Sequence, residues 1–161
     1  MSKATSVAET LIFTAFVPST VAGLIPSWLR RSSNVAANGL EKYAAIAVIA
    51  VGIGIYLYNA FWSFAWIAEG TPAPVAPTKT LVVHGLHRFV RNPMYIGVGC
   101  IIGGQAWLFH SRHIAIYLLL FFAIVHLFVV FYEEPALLKQ FGEQYASYRR
   151  RVPRWLPRIG L

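Results

Sequence analysis

Long apolar runs separated by short polar stretches dominate this chain. Four runs stand out, at residues 11–29, 43–67, 95–109 and 113–132. A helix needs about 20 apolar residues to cross a bilayer, so the third run is short for a full span. Pro18 and Pro26 lie in the first run and predict a kink or a break, because proline cannot donate the helical hydrogen bond. The pattern predicts an all-α integral membrane bundle of about four transmembrane helices.

The connections between the runs add two expectations. The first run is interpreted as a retained span and not as a signal peptide, because no clear small-residue cleavage pattern follows it. Only Ser111 and Arg112 separate His110 from His113, so the third and fourth helices are expected to form a tight antiparallel hairpin.

Small residues predict where the helices pack closely. They let helix backbones approach each other, above all when they recur at every fourth position. The candidates are Gly99 with Gly103, Cys100 with Gly104, and Gly52 with Gly54.

The tail after the fourth run has a helical periodicity. Its apolar residues recur at three- and four-residue steps, as Leu137, Leu138, Phe141, Tyr145 and Tyr148. This spacing predicts a C-terminal amphipathic helix over residues 133–151 that lies along the membrane surface with its arginines toward anionic lipid.

Composition agrees with a membrane protein and narrows its partners. The chain is 57% apolar and 12% charged, whereas soluble domains are about a quarter charged. Its net charge of +8 comes from residues in loops and in the tail, so the expected partner is the lipid bilayer and not nucleic acid. The single cysteine excludes an intrachain disulfide.

The distribution of lysine and arginine predicts the orientation. With four spans, the N-terminus, the 68–94 loop and the tail share one side, which holds ten of the 14 basic residues. The positive-inside rule places that side in the cytoplasm. Both termini and the polar motifs are therefore expected to be cytoplasmic.

The polar motif Arg91-Asn-Pro-Met-Tyr95 begins the third run. Asn92 is expected to cap a helix whose first residue is Pro93. The free backbone N–H groups of such a helix start can hold an anion such as a carboxylate, and Arg91 offers a fork for the same group. An alternative role for the arginines is to anchor the chain at lipid headgroups.

Glu133 and Glu134 are expected to close the fourth helix. Adjacent side chains point about 100° apart, so one carboxylate can bind a ligand while the other pairs with an arginine. A solvated helix end is the alternative, and function is favoured. His126, seven residues earlier, is interpreted as a packed, hydrogen-bonded core histidine. The histidines form no evident three-ligand cluster, so no metal site is expected.

Residues 81–95 and 133–157 carry a family resemblance. The first segment reads Leu-Val-Val-His-Gly-Leu-His-Arg-Phe-Val-Arg-Asn-Pro-Met-Tyr and resembles the cofactor motif of the isoprenylcysteine carboxyl methyltransferase family. The second begins Glu-Glu-Pro and ends Arg-Val-Pro-Arg-Trp-Leu-Pro, and is similar to that family's C-terminal signature. The Glu-Glu-Pro step also resembles phospholipid N-methyltransferases. His87 stands where the family usually has tyrosine, and Asn92 replaces the commoner histidine.

The resemblance implies S-adenosylmethionine as the cofactor. It places cofactor contacts at Lys79, Thr80, Leu81, Val82, His87, Asn92, Pro93, Met94 and Tyr95, with Glu133 and Glu134 as further candidates. The length of the chain suits a single domain over residues 1–161. Residues 69–157 are expected to form its cofactor-binding region. Residues 1–68 carry no matching motif, so their two N-terminal spans are expected to choose the substrate.

The implied reaction is methyl transfer to a lipophilic acceptor, such as a prenylcysteine-like carboxylate. Arg91, Tyr95, Glu134 and Arg149 are the predicted catalytic residues. A carboxylate acceptor needs no base, whereas an amine or thiol would need one. The alternatives are a phospholipid amine N-methyltransferase, a sterol-reductase-like enzyme that uses NADPH, and a non-enzymatic membrane scaffold.

Overall fold

The computed structural model describes residues 3–30, 36–67 and 80–157. Every regular element within these ranges is helical. In chain order they are α1 (Lys3–Ser19), a π-helical turn (Thr20–Leu24), α2 (Ile25–Arg30), α3 (Gly39–Leu57), a π-helical segment (Tyr58–Ile67), a 3-10 turn (Gly85–Arg88), α4 (Pro93–Leu108), α5 (Arg112–Phe128), a π-helical turn (Val129–Glu133), α6 (Glu134–Phe141) and α7 (Glu143–Arg151).

Some of these elements join into continuous helices, and two such helices are long and apolar enough to cross a membrane. They are Gly39–Trp62, with 24 residues, and Arg112–Phe141, with 30 residues. Only 28% and 17% of their apolar windows are buried, so most of this apolar surface faces outward, where lipid can cover it. The described chain is thus all-helical with two candidate spans. The count of four spans stays a prediction, because α4 has only 16 residues, or about 24 Å of helix.

The first apolar run is interrupted between its two prolines, as predicted. A π-helical turn over Thr20–Leu24 separates α1 from α2. Side chains from the hairpin satisfy its carbonyl groups: Gln105 Nε2 donates to the carbonyl of Ala22 at 2.7 Å, and the Tyr117 hydroxyl donates to that of Val21 at 2.9 Å. The interruption thereby becomes a polar contact between the first run and the hairpin.

Helices α4 and α5 form the predicted tight hairpin. Leu108 ends α4 and Arg112 begins α5. Ser111 caps α5 by accepting a hydrogen bond from the N–H of Ile114 at 3.4 Å, and His110 adopts a positive φ of 43°. The hairpin holds the start of α4 and the far end of α5 on the same side of the bundle.

Glycines bring α3 and α4 into backbone contact. A Cβ atom on Gly52 would lie 2.6 Å from the carbonyl oxygen of Gly97, and one on Gly97 would lie 2.9 Å from that of Gly52. Gly54 has open space around it, so the predicted packing role is wrong for this glycine. The pairing of α3 with α4 fixes the position of the polar motif that precedes α4.

Glu133 and Glu134 do not close the fourth helix, contrary to the prediction. The helix continues through the π-helical turn and α6 to Phe141. Pro135 has no N–H to bond within the preceding turn, and the helical register loosens just before it. Both glutamates therefore lie inside a long helix. Glu133 ends a π-helical turn of the kind that often marks functional sites, and Glu134 follows it.

The tail is two short helices and not the single amphipathic helix that the spacing predicts. Gly142 separates α6 from α7 with φ 53° and ψ −127°, a conformation that only glycine adopts easily. The break turns α7 back onto the protein, where Tyr145 and Tyr148 are buried and pack with Val152 and Leu81. Its tyrosine face is thus covered by protein.

Candidate active site

A buried carboxylate surrounded by three guanidinium groups forms the centre of the candidate site. The Glu134 side chain is only 7% exposed. Arg154 binds it with two hydrogen bonds, from Nε to Oε1 at 2.6 Å and from Nη2 to Oε2 at 3.1 Å. Nη1 of Arg91 lies 2.9 Å from Oε1, and Nη1 of Arg149 lies 4.0 Å from Oε2. The bidentate contact between Arg154 and Glu134 is a strong form of ion pair. Through its three arginine partners, Glu134 links the motif before α4 to the end of α7 and to the chain that follows α7.

The tail also contacts the backbone at the start of α4. Asn92 Nδ2 donates to the carbonyl of Arg154 at 3.2 Å, and the N–H of Arg91 donates to that of Pro153 at 2.9 Å. As predicted, α4 begins at Pro93, but the Asn92 side chain makes no capping hydrogen bond. Its amide is committed to the tail instead, so the predicted side-chain cap is wrong.

A neutral contact ties α7 to the 3-10 turn. The Tyr148 hydroxyl donates to the backbone carbonyl of His87 at 2.7 Å. Burial, and then the charge of His84, lower the pKa of His87 to about 4, while burial raises the pKa of Tyr148. Both side chains are therefore uncharged near pH 7, and the charge is concentrated around Glu134, whose hydrogen bond raises the pKa of Arg154.

Glu133 has a different partner from its neighbour. The Tyr95 hydroxyl, on the first turn of α4, donates to Glu133 Oε2 at 3.0 Å. The Tyr95 ring lies 6.4 Å from that of Trp155, measured between centroids. The Trp155 Nε1–H donates in turn to Nδ1 of His126 at 3.0 Å. Tyr95, Glu133, Trp155 and His126 thus form a continuous polar and aromatic connection from α4 to the middle of the long helix.

An apolar pocket of about 920 Å³ adjoins this connection. Its lining comes from α3, the segment before and into α4, α5 and the tail: Ile55, Leu86, Phe89, Val90, Pro93, Ile96, Phe122, Ala123, His126, Trp155, Leu156 and Pro157. His126 and Trp155 carry the only polar side-chain atoms among these described residues. The pocket is suited to a hydrocarbon group.

A second cavity of about 840 Å³ lies beside α7. Its lining is mixed, and includes Thr80 and Leu81 together with Arg88, Arg151 and Glu143. Charged and hydroxyl groups make this cavity suitable for a polar ligand.

The structure divides the predicted site residues among several places. Arg91, Glu134 and Arg149 meet in the ion-pair cluster, and Tyr95 meets Glu133. Three of the remaining predicted residues line cavities: Thr80 and Leu81 the polar cavity, and Pro93 the apolar pocket. Asn92 and His87 hold the tail through hydrogen bonds. Met94 packs against the core, and Val82 is buried. Lys79 lies outside the described residues.

Sequence reasoning missed four residues that build this site. They are Tyr145, Tyr148, Arg154 and Trp155. All four fall inside the C-terminal signature, but the helical spacing predicts Tyr145 and Tyr148 only as part of the apolar face of an amphipathic helix. His126 is hydrogen-bonded as predicted, yet it is exposed and not packed in the core.

Comparisons with known proteins agree with a membrane methyltransferase. No curated protein and no solved structure matches the chain. The sequence profile of the phospholipid methyltransferase family matches residues 41–144, which run from α3 into α7 and include both the Arg91–Tyr95 motif and the two glutamates. The match covers well over half of the chain, and the protein therefore belongs to the phospholipid methyltransferase family of membrane methyltransferases.

Proposed function

We propose that this protein transfers a methyl group from S-adenosylmethionine to a lipophilic acceptor, such as a prenylcysteine-like carboxylate, at the cytoplasmic membrane face. The observation that carries the proposal is the meeting of two distant motifs. Tyr95 and Glu133, 38 residues apart, share a hydrogen bond of 3.0 Å, and Arg91 pairs with Glu134 beside them. Polar groups at the end of an apolar span are retained when they have a use.

The residues around this meeting point fit the cofactor's chemistry. S-adenosylmethionine carries a carboxylate, an ammonium group and a positive sulfonium. Arg149 is nearly half exposed at the rim of the ion-pair cluster and can bind the carboxylate through its fork. Glu133 and the Tyr95 ring can favour the positive groups. When bound, the cofactor supplies an electrophilic methyl group.

The protein's own contribution is positioning and exclusion of water. Glu134 fixes Arg91 and Arg154 by ion pairs, so these side chains are held in place before a ligand arrives. A carboxylate acceptor needs no base from the protein. For an amine acceptor, Glu133 is the better candidate base, because the Glu134 oxygens already accept from guanidinium groups.

Cofactor binding and acceptor selection are expected to involve different segments of the chain. Residues 1–161 act as one domain, in which residues 69–157 bind the cofactor. Residues 1–68 select the acceptor, which enters from the bilayer between helices.

Calorimetry on the protein in lipid nanodiscs tests the cofactor. We expect binding of S-adenosylmethionine and no binding of NADPH. Folded protein that binds NADPH alone, or neither compound, would overturn the proposal.

Transfer of a labelled methyl group then tests the acceptor. We expect label on farnesylcysteine. Label on phosphatidylethanolamine alone would establish the phospholipid amine alternative instead.

A further inference from the structure

We propose that His126, held in one tautomer by Trp155, is the specificity-determining residue of the apolar pocket, and that its Nε2–H donates to an oxygen of the methyl acceptor. This inference rests on the proposed function. The pocket should therefore prefer a methyl acceptor whose end group carries an oxygen over one whose end group is an amine.

The hydrogen bond between the two side chains fixes the tautomer. An indole N–H can only donate, and Trp155 Nε1 lies 3.0 Å from Nδ1 of His126. Nδ1 must therefore accept, and the proton of the neutral imidazole resides on Nε2. The imidazole of His126 therefore offers a ligand one hydrogen-bond donor, Nε2–H, and no free acceptor nitrogen.

The position of His126 makes an unused donor costly. Arg112 begins the helix, and His126 lies 14 residues further along, or about 21 Å, so it falls within the thickness of the hydrocarbon core. The side chain is exposed, and no hydrogen bond joins Nε2 to the described part of the chain. A polar group at such a place loses several kcal/mol when it has no partner, which favours a ligand as that partner.

The surroundings indicate what the ligand is. All other lining side chains apart from Trp155 are apolar, and a volume of about 920 Å³ falls in the range of about 300–1,000 Å³ typical of ligand pockets. The described lining contains no acidic residue to attract an ammonium group. We therefore expect one lipophilic chain inside the pocket, with its carboxylate or carbonyl oxygen at His126.

Trp155 also connects this contact to the methyl-transfer site. Its ring lies between those of Tyr95 and His126, at centroid distances of 6.4 Å and 6.2 Å. An acceptor end group at His126 is thus one aromatic ring away from the Tyr95–Glu133 pair. His126 thus binds and orients the acceptor, and no proton transfer is assigned to it.

The test measures binding of three matched probes to protein in nanodiscs without cofactor, with empty nanodiscs subtracted. The probes are palmitate, hexadecanol and hexadecylamine. We expect wild type to prefer palmitate over hexadecylamine by at least about tenfold, since a hydrogen bond to a charged group contributes this much.

Two substitutions separate ligand binding from a purely structural role. His126→Asn keeps an acceptor for Trp155 but has no group at the position of Nε2, so it should lose the palmitate preference. His126→Gln places an amide donor near that position and should retain it. His113→Asn, in the exposed first turn of α5, is the matched control and should behave as wild type.

Binding of S-adenosylmethionine, measured on the same samples, distinguishes the two proposals. His126→Asn should bind it as wild type does. If wild type binds the cofactor but shows no palmitate preference, or if His126→Asn weakens all three probes equally, the role of His126 is overturned while the methyltransferase proposal stands. Failure of wild type to bind the cofactor overturns the proposed function instead.

Discussion

Glu133 and Glu134 are neighbours in sequence, yet their carboxylates have different partners. Glu134 accepts hydrogen bonds from Arg154 and pairs with Arg91, whereas Glu133 accepts one from Tyr95. Adjacent helical side chains diverge by about 100°, which predicts such a division. Glu134 thus holds the site together through its arginine partners, and Glu133 faces the start of α4.

The buried ion pairs make Glu134 important for stability. We expect Glu134→Gln to lower the free energy of unfolding by about 2–4 kcal/mol, because it leaves buried guanidinium charge without its partner. Denaturant titration in detergent measures the change. Glu143→Gln is the control, since its pair with Arg150 is exposed, and it should cost at most about 1 kcal/mol. Equal effects of the two substitutions would contradict this role.

Tyr95→Phe tests the contact to Glu133. The substitution keeps the ring and removes the hydroxyl, so we expect about tenfold weaker binding of S-adenosylmethionine with little change in melting temperature. Calorimetry gives the affinity. Tyr117→Phe removes a hydroxyl that donates to the carbonyl of Val21, away from the site, and should leave the affinity unchanged. Wild-type affinity in Tyr95→Phe would remove this hydroxyl from the site.

His87 should make stability depend on pH. Its pKa is lowered to about 4 by burial and by His84, from 6.5 in the unfolded chain, so the unfolded chain binds more protons between these values. Stability is complete above about pH 6.5 and falls as the pH drops toward 4, by about 3 kcal/mol. His87→Gln should lack this part of the slope in denaturation curves. The same slope in both proteins would show that other groups cause it.

Helix elements place these residues by close packing and by irregular turns. Because Gly52 and Gly97 have no side chains, α3 and α4 can approach closely, and α4 then presents Tyr95 from its first turn. The π-helical turn over Val129–Glu133 carries Glu133 toward Tyr95. The geometry of the site therefore depends on the close packing of α3 against α4 and on the π-helical turn before Glu134.

The contact between α3 and α4 can be tested with alanine. Gly52→Ala puts a Cβ 2.6 Å from the Gly97 oxygen, and we expect a loss of about 1–3 kcal/mol because backbone must move. Gly54→Ala is the matched control, since nothing lies within 4 Å of its Cβ, and it should be neutral or slightly stabilising. Thermal unfolding of both variants measures the difference. Similar melting temperatures would argue against the close approach.

The molecule as a whole presents its apolar helices outward, and four of its five described ion pairs lie near the C-terminal end of the long helix. The predicted orientation puts that end in the cytoplasm. Cys100 is the only cysteine, so a Cys100→Ala background allows single-cysteine labelling.

We expect Lys139→Cys in this background to react with a membrane-impermeant maleimide only after cells are permeabilised. His113→Cys, at the opposite end of the same long helix, should react in intact cells. The physical reason is the excess of lysine and arginine on the first side. The reverse pattern of labelling would show that the orientation is wrong.

The amino-acid sequence is sufficient to predict the helical class, the start of α4 at Pro93, the hairpin, and the pairing of one of the two glutamates with arginine. These features depend on local chemistry: apolar periodicity, the missing N–H of proline, and the length of a connection. Arg91, Tyr95 and Glu134 stand out as polar residues beside apolar runs, and the family resemblance implies their place at the site.

Which charged residues meet depends on the tertiary structure. Gly142 breaks the tail, and Asn92 binds the carbonyl of Arg154 instead of capping α4. The tail therefore folds back, and Arg154 and Trp155 reach Glu134 and His126. Periodicity cannot predict this return, because a backbone reversal at one glycine and the choice among several arginines depend on three-dimensional contacts between residues far apart in the chain.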